Sequence, residues 1–190
     1  MSTVLFVCTG NICRSPTAAA LLASRLASTH PAISVDSVGT SDLKAPAPPE
    51  VIVAGQEVGI DLADHRGRLI TPDDVKDATL ILGMARRHVR EVVTIDPGAW
   101  PRTFTLREIV RRGQSMGPRS EHQPLEDWLV FVHHGRRMVD LHGKSRQDDI
   151  ADPLGGSLRN YRGAAETISA LVTELADLAW PVDPGPGSSQ

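Results

Sequence analysis

Cys8 and Arg14 are the two residues of this sequence whose types and spacing most directly suggest chemistry. They enclose Thr9-Gly10-Asn11-Ile12-Cys13, and Ser15-Pro16-Thr17 follow. A cysteine thiolate is a strong nucleophile, and a planar guanidinium can hold two oxygens of a phosphoryl group and follow them into a transition state. The bare spacing Cys-x5-Arg is a weak motif, and a free cysteine more often simply packs in a core. Its setting gives it weight. Val4-Leu5-Phe6-Val7 suits a strand buried on both faces, Gly10 and Asn11 are residue types that accept left-handed backbone, and Ser15 then Pro16 suit an N-cap and a first helical position. The loop therefore joins a strand end to a helix start. Backbone amides of Thr9, Gly10, Asn11, Ile12, Cys13, Arg14 and Ser15, with the positive end of the helix dipole behind them, form an anion site sized for phosphate. The same field favours the thiolate of Cys8.

Four strands alternating with helices must position this loop. After the first strand, Ala18, Leu21, Leu22 and Leu26 recur at helical spacing until His30-Pro31. Ile33 to Ser37 reads as a second strand, Thr79 to Gly83 as a third and Arg102 to Leu106 as a fourth. Between them, Val51, Ala54 and Val58 mark a helix face ended by Gly59, Thr71-Pro72-Asp73-Asp74 caps a short helix, and Val89, Val92 and Val93 mark another. Arg107 to Arg112 reads as a short helix ended by Gly113. Ser157 caps a last helix whose buried face is Leu158, Tyr161, Ala165, Ile168, Val172 and Leu175. This alternation predicts an α/β fold: an open four-stranded parallel sheet with helices on both faces, a flavodoxin-like three-layer sandwich with the Cys8 loop at the topological switch point.

With 190 residues and 41% hydrophobic content, the chain can close one core. We expect a single domain over 1–182 and a disordered Pro/Gly/Ser-rich tail over 183–190. A formal net charge of -3 makes no general case for nucleic acid. The four-residue apolar run near the N-terminus predicts neither a signal peptide nor a membrane span, so the expected location is cytoplasmic. Two cysteines five apart fit redox chemistry in a reducing compartment better than a disulfide framework or a zinc site, and neither metal nor cofactor is expected.

Val-Leu-Phe-Val-Cys-Thr-Gly-Asn-Ile-Cys-Arg-Ser-Pro-Thr-Ala, residues 4–18, resembles the signature loop of the low-molecular-weight protein tyrosine phosphatases, a family shared with some arsenate reductases and protein arginine phosphatases. The resemblance implies that Cys8 is the nucleophile, that Arg14 binds phosphate, that Ser15 hydrogen-bonds the thiolate and that Asn11 holds the loop's shape. It also implies that Ser37 supports the loop and that His65, in Asp64-His65-Arg66-Gly67-Arg68, braces Asn11. Asp152-Pro153 matches the family's Asp-Pro, whose aspartate protonates the leaving oxygen and then activates water. A phenol's pKa of about 10 makes that proton necessary at neutral pH. Asp149 is an alternative acid; proline after Asp152 restricts its backbone to extended conformations, which suits a fixed acid on a loop. Cys13 is implied as a redox partner of Cys8. Where many relatives read Met-Asp, this chain reads Met84-Ala85-Arg86.

Residues 114–147 lie outside the resemblance. They hold an expected helix at Leu125–Val132 and a basic run, His133-His134-Gly135-Arg136-Arg137, continuing to Lys144-Ser145-Arg146. A Walker A loop at Gly143-Lys144-Ser145 fails because Met138 stands where its first glycine is needed. His133, His134 and His142 lack metal-ligand spacing. A solvated or docking insertion is the expectation here.

The expected function is hydrolysis of phosphomonoesters on protein tyrosine through a cysteinyl-phosphate intermediate, with a phosphorylated protein as substrate. Alternatives are phosphoarginine hydrolysis, arsenate reduction with a small thiol (no cysteine follows Cys13), and a phosphoprotein-binding module without turnover. Relatives specific for phosphotyrosine line the pocket with aromatics where this chain offers Leu43 and Leu154. Phosphoarginine phosphatases that resemble the family carry threonine at the place of Ile12. The oligomeric state is left open.

Overall fold

The computed structural model describes residues 2–120, 122–142 and 147–181. The expected tail at 183–190 and residues 143–146 lie outside the described residues. β1 (Thr3–Cys8) is central and apolar on both sides because two separate cores need it. Val4 and Phe6 point into one core, and Leu5 and Val7 into the other. It pairs in parallel with β2 (Ser34–Gly39) on one side and β3 (Leu80–Gly83) on the other, and β4 (Thr103–Thr105) completes the order β2-β1-β3-β4. This is the expected parallel α/β sheet. Cys8 is in register with Gly39, and Val7 with Gly83. The turns after β1, β2 and β3 therefore converge at one edge, where the strand order reverses on either side of β1.

One face is covered by α1 (Arg14–Leu26), α5 (Leu106–Met116), α6 (Leu125–His133) and α7 (Leu158–Ala179). The other is covered by α3 (Pro72–Asp77) and α4 (Arg86–Ile95), through Val75 and Val92. α2 (Pro49–Glu57) packs Val51 and Ala54 against Tyr161 and Ala165 of α7, and its exit at Gly59 uses φ 84°, which a glycine adopts without steric cost. Thr71 starts α3 with a reciprocal capping box to Asp74, as its sequence predicts. On α7, Leu158 stays partly exposed, while the other five expected face positions are buried.

Two expectations are corrected. α5 does not end at Gly113 but runs through it to Met116 and stops at Gly117, φ 95°. Gly113 is there for close approach: a Cβ on it would sit 3.0 Å from Leu178 Cδ1 and 3.1 Å from Trp128 Cζ2. Nor are the described residues of 114–147 a merely solvated appendage. Leu125, Trp128, Leu129 and Val132 of α6 join the main core, leaving Val130 and Phe131 outside. In the basic run, Arg136 is buried, bonded through Nε (2.7 Å) and an outer nitrogen (3.0 Å) to Glu108, with its guanidinium 3.9 Å from the centres of both the Trp100 and Phe104 rings. A cation so paired and stacked ties α5 to the segment after α6 and is withdrawn from any docking surface.

Candidate active site

The loop after β1 is held in shape by Asn11. It is fully buried with φ 52°, a left-handed conformation that asparagine tolerates better than most residues. Its Nδ2 donates to Ser15 Oγ at 3.0 Å and to Ser37 Oγ at 2.8 Å, its Oδ1 accepts the Arg68 amide at 3.0 Å, and its carbonyl oxygen lies 2.6 Å from His65 Nε2. Ser37 and His65 thus both contact Asn11. The segment that brings His65 and the Arg68 amide is itself fixed by Arg68, which bonds Asp74 on α3 and Asp36 on β2. Asp74 and Asp36 raise the arginine's pKa.

Cys8 ends β1 with its sulfur buried, 3.0 Å from Ser15 Oγ and accepting the Asn11 amide at 3.2 Å. Ser15 is not the helix cap. α1 already begins at Arg14, and no side chain caps it at Cys13. The hydroxyl is taken instead by Cys8, Asn11 and the carbonyl of Val38, so it lies on the sulfur side of the loop. Pro16 falls in the first turn, where a missing N–H breaks no helical bond.

Arg14 is 3% exposed, a charge placed in the protein rather than in water. One terminal nitrogen donates to the Ile150 carbonyl at 3.1 Å and the other bonds Asp152 Oδ2. Asp152 is thereby brought to the Cys8 loop from 138 residues away in sequence. Asp149 is not: its carboxylate accepts the Arg86 amide at 2.8 Å at the start of α4. That helix has alanine at its N-cap, Ala85, which offers no side-chain acceptor. A carboxylate from a distant segment takes an amide that the local sequence leaves open. The same contact, with the Ile150 amide on the Met84 carbonyl at 2.8 Å, tethers the segment that carries Asp152.

Sequence reasoning missed Arg87 and His88. Arg87 stands on the rim, half exposed, with one terminal nitrogen 2.8 Å from Thr9 Oγ1 and 3.5 Å from Asp152 Oδ2, and its Nε donating to His88 Nε2 at 3.2 Å. Because an arginine N–H can only donate, His88 Nε2 is the acceptor and its Nδ1 carries the hydrogen; Nε2 also lies 3.1 Å from Thr9 Oγ1. Burial, then the charges of Arg14, Arg87 and Arg90, push His88 down to about 3, so it is neutral at working pH. Gly39 and Gly67 were also missed. A Cβ on Gly39 would sit 2.7 Å from the Thr9 carbonyl oxygen, and one on Gly67 2.7 Å from that of Gly10. Such close approach has no signature in a single sequence beyond the glycine itself.

These residues surround a cavity of about 260 Å³ whose walls include Cys8, Ile12, Leu43, Arg87, Asp152 and Leu154. Thr9, Gly10, Cys13 and Arg14 also line it. Cys13 is a free, buried thiol pushed up to about 12, first by burial and then by the adjacent Cys8. A cysteine thiol, an arginine and a carboxylate therefore meet in one apolar-walled recess, a constellation suited to phosphoryl transfer.

The comparisons with known proteins agree with this geometry. The family model described as low molecular weight phosphotyrosine protein phosphatase matches residues 3–116. The chain is 35% identical over 136 residues to the probable low molecular weight protein-tyrosine-phosphatase EpsP of Ralstonia solanacearum, covering 71% of this chain and 91% of that protein. It is 30% identical over 175 residues to the protein-arginine-phosphatase of Geobacillus stearothermophilus, covering 92% and 93%. Among solved structures, the low molecular weight protein tyrosine phosphatase from T. tengcongensis superposes with a TM-score of 0.69 at 29% identity, covering 93% of this chain and 99% of that one. The chain is a protein phosphatase that belongs to the low molecular weight phosphotyrosine protein phosphatase family.

Proposed function

We propose that this protein hydrolyses phosphotyrosine on proteins, with Cys8 as nucleophile, Arg14 as phosphate ligand and Asp152 as the proton donor. The observation that carries the reading is the Cys8 sulfur, which the Asn11 amide and the Ser15 hydroxyl both approach while Arg14 and Asp152 close over the same cavity. The phosphoryl group enters against the loop amides, and its oxygens compete with Asp152 for the outer nitrogen of Arg14. The sulfur attacks phosphorus, the P–O bond to the tyrosine breaks, and Asp152 gives its proton to the departing phenolate oxygen. Asp152, now ionised, takes a proton from water, which attacks the phosphocysteine; the P–S bond breaks, phosphate leaves and the thiolate returns.

Phosphoarginine is the second reading, favoured by the likeness to the Geobacillus stearothermophilus arginine phosphatase along most of the chain. The pocket opposes it. Ile12 places a branched apolar side chain in the cavity wall, and the Arg87 cation, anchored by Thr9 and His88, repels a guanidinium at the rim. Leu43 and Leu154 bury a phenyl ring without the aromatic contact worth about 0.5–1.5 kcal/mol, so affinity for phosphotyrosine is roughly two- to tenfold below that of a site with aromatic walls.

Free Cys8 and Cys13 suit a reducing, cytoplasmic setting. Burial holds the Cys13 thiol protonated, so opening of the loop frees its thiolate to attack a Cys8 sulfenic acid made by peroxide, forming the S–S bond as water leaves. The test of the substrate is phosphate release from matched phosphotyrosine, phosphoarginine and phosphoserine peptides. We expect phosphotyrosine hydrolysis that Cys8→Ser abolishes and Leu154→Tyr raises, and phosphoarginine hydrolysis only after Ile12→Thr. A wild-type preference for phosphoarginine overturns the pocket argument and leaves the mechanism standing.

A further inference from the structure

A second cavity, about 540 Å³, lies against the Ile150–Pro153 stretch and is lined by the partly buried Arg107 of α5 and the exposed Arg159 of α7. Its charge is unbalanced. The Nε of Arg107 is fully buried with no hydrogen-bond partner, and among the described residues neither Arg107 nor Arg159 makes an ion pair. Asp152 is the one acid in the lining, and its carboxylate is bound to Arg14 and close to Arg87. Buried donors without acceptors are rare and call for a physical account. Both arginines also stand in first helical turns, where the helix dipole disfavours a cation; the first turn of α7 holds no acid, and Glu108 of α5 is bound to Arg136. The lining adds Asn160, whose carbonyl oxygen accepts from Ser157 and whose amide hydrogens remain as donors. The neighbouring arginine-rich cavity around Arg136 differs in kind, since there Glu108, Asp140 and Asp148 each pair with an arginine.

We propose that this cavity is a second anion site, distinct from the Cys8 loop, that takes a phosphate monoester or free phosphate between Arg107 and Arg159. Two guanidinium groups and an amide match the oxygens of one phosphoryl group, and the volume leaves room for a small organic substituent on it. Its wall is the backbone that supplies the Ile150 carbonyl to Arg14 and carries Asp152, so an occupant bears on the proton-transfer residue without entering the catalytic cavity.

The test separates binding from turnover. Orthophosphate and glycerol 3-phosphate are titrated by calorimetry into Cys8→Ser, which retains the loop, and into the same protein carrying Arg107→Gln and Arg159→Gln. We expect two equivalents of orthophosphate on the first and one on the second, with affinity at the lost site down at least tenfold. Tighter binding of glycerol 3-phosphate than of orthophosphate at that site assigns it to organic esters; equal or weaker binding assigns it to phosphate itself. Ala164→Phe fills the cavity without removing either charge and abolishes the same equivalent, which guards against misfolding of the doubly substituted arginine variant. Equal stoichiometry with and without both arginines, or a single equivalent insensitive to them, overturns the proposal. In steady-state assays with p-nitrophenyl phosphate, orthophosphate should alter kcat only where both arginines are present, while its competitive constant at the catalytic loop stays the same.

Discussion

Replacing Asn11 tests how the loop after β1 keeps its shape. Asn11→Ala removes three side-chain hydrogen bonds, two buried ones to Ser15 and Ser37 and a part-buried one from the Arg68 amide. At about 1 kcal/mol net each, they amount to about 3 kcal/mol. Alanine must also hold the left-handed φ of 52°, which costs roughly 1 kcal/mol more. The expected loss is about 4 kcal/mol, read as a fall in Tm of about 8–16 °C for a domain of this size. Asn11→Gly loses the same bonds but adopts that φ freely, so it should be about 1 kcal/mol more stable than the alanine variant. Urea unfolding of the three proteins gives the energies, and p-nitrophenyl phosphate kinetics give the function. Both variants should lose at least tenfold in kcat/KM, because Ser15 and the Asn11 amide no longer have fixed places around the Cys8 sulfur. An alanine variant within 1 kcal/mol of wild type, or one with unchanged kcat/KM, refutes the reasoning.

Three further outcomes follow from the site. Asp152→Asn should slow esters of poor leaving groups far more than activated aryl phosphates, and an equal loss across a leaving-group series would make Asp152 a positioning residue only. Cys13→Ser should turn over normally but recover poorly after peroxide; full thiol-driven recovery contradicts a Cys8–Cys13 pairing. His88, at about 3 when folded against 6.5 ordinarily, makes the unfolded chain the better proton binder below pH 6.5. Its contribution to stability is therefore intact above pH 6.5 and falls with pH toward 3, by about 2 kcal/mol between pH 7 and pH 5. Urea unfolding of wild type and His88→Gln at those two pH values should differ in pH sensitivity by that amount, and equal sensitivity would show His88 to be an ordinary titrating histidine.

Residues near in sequence were legible because their chemistry is local. The apolar run into Cys8, the glycine and asparagine of the loop and the period of the helices led to a parallel α/β sheet with a phosphate-sized loop after its first strand. Turn chemistry told the same story at Gly59 and Thr71, where the backbone needs that residue type whatever surrounds it. Gly113 misled, since a glycine that allows close helix packing looks in sequence like one that ends a helix.

Contacts between groups far apart in the chain had no such local signal. Asp152 and Asp149 are chemically alike and three residues apart, yet one reaches Arg14 and the other a helix amide, a choice made by the tether of Ile150 to Met84. Arg136 reads as a solvated cation until Trp100, Phe104 and Glu108 enclose it. Arg87 has no spacing signal, because its place on the rim is set by Thr9 on one loop and His88 behind it. Short-range backbone preference already carried the parallel sheet and the strand, loop and helix start that hold Cys8 and Arg14. Partner choice among the many arginines and aspartates was left to packing, since a charge's partner is whichever opposite charge the fold brings within reach, and sequence distance does not encode that.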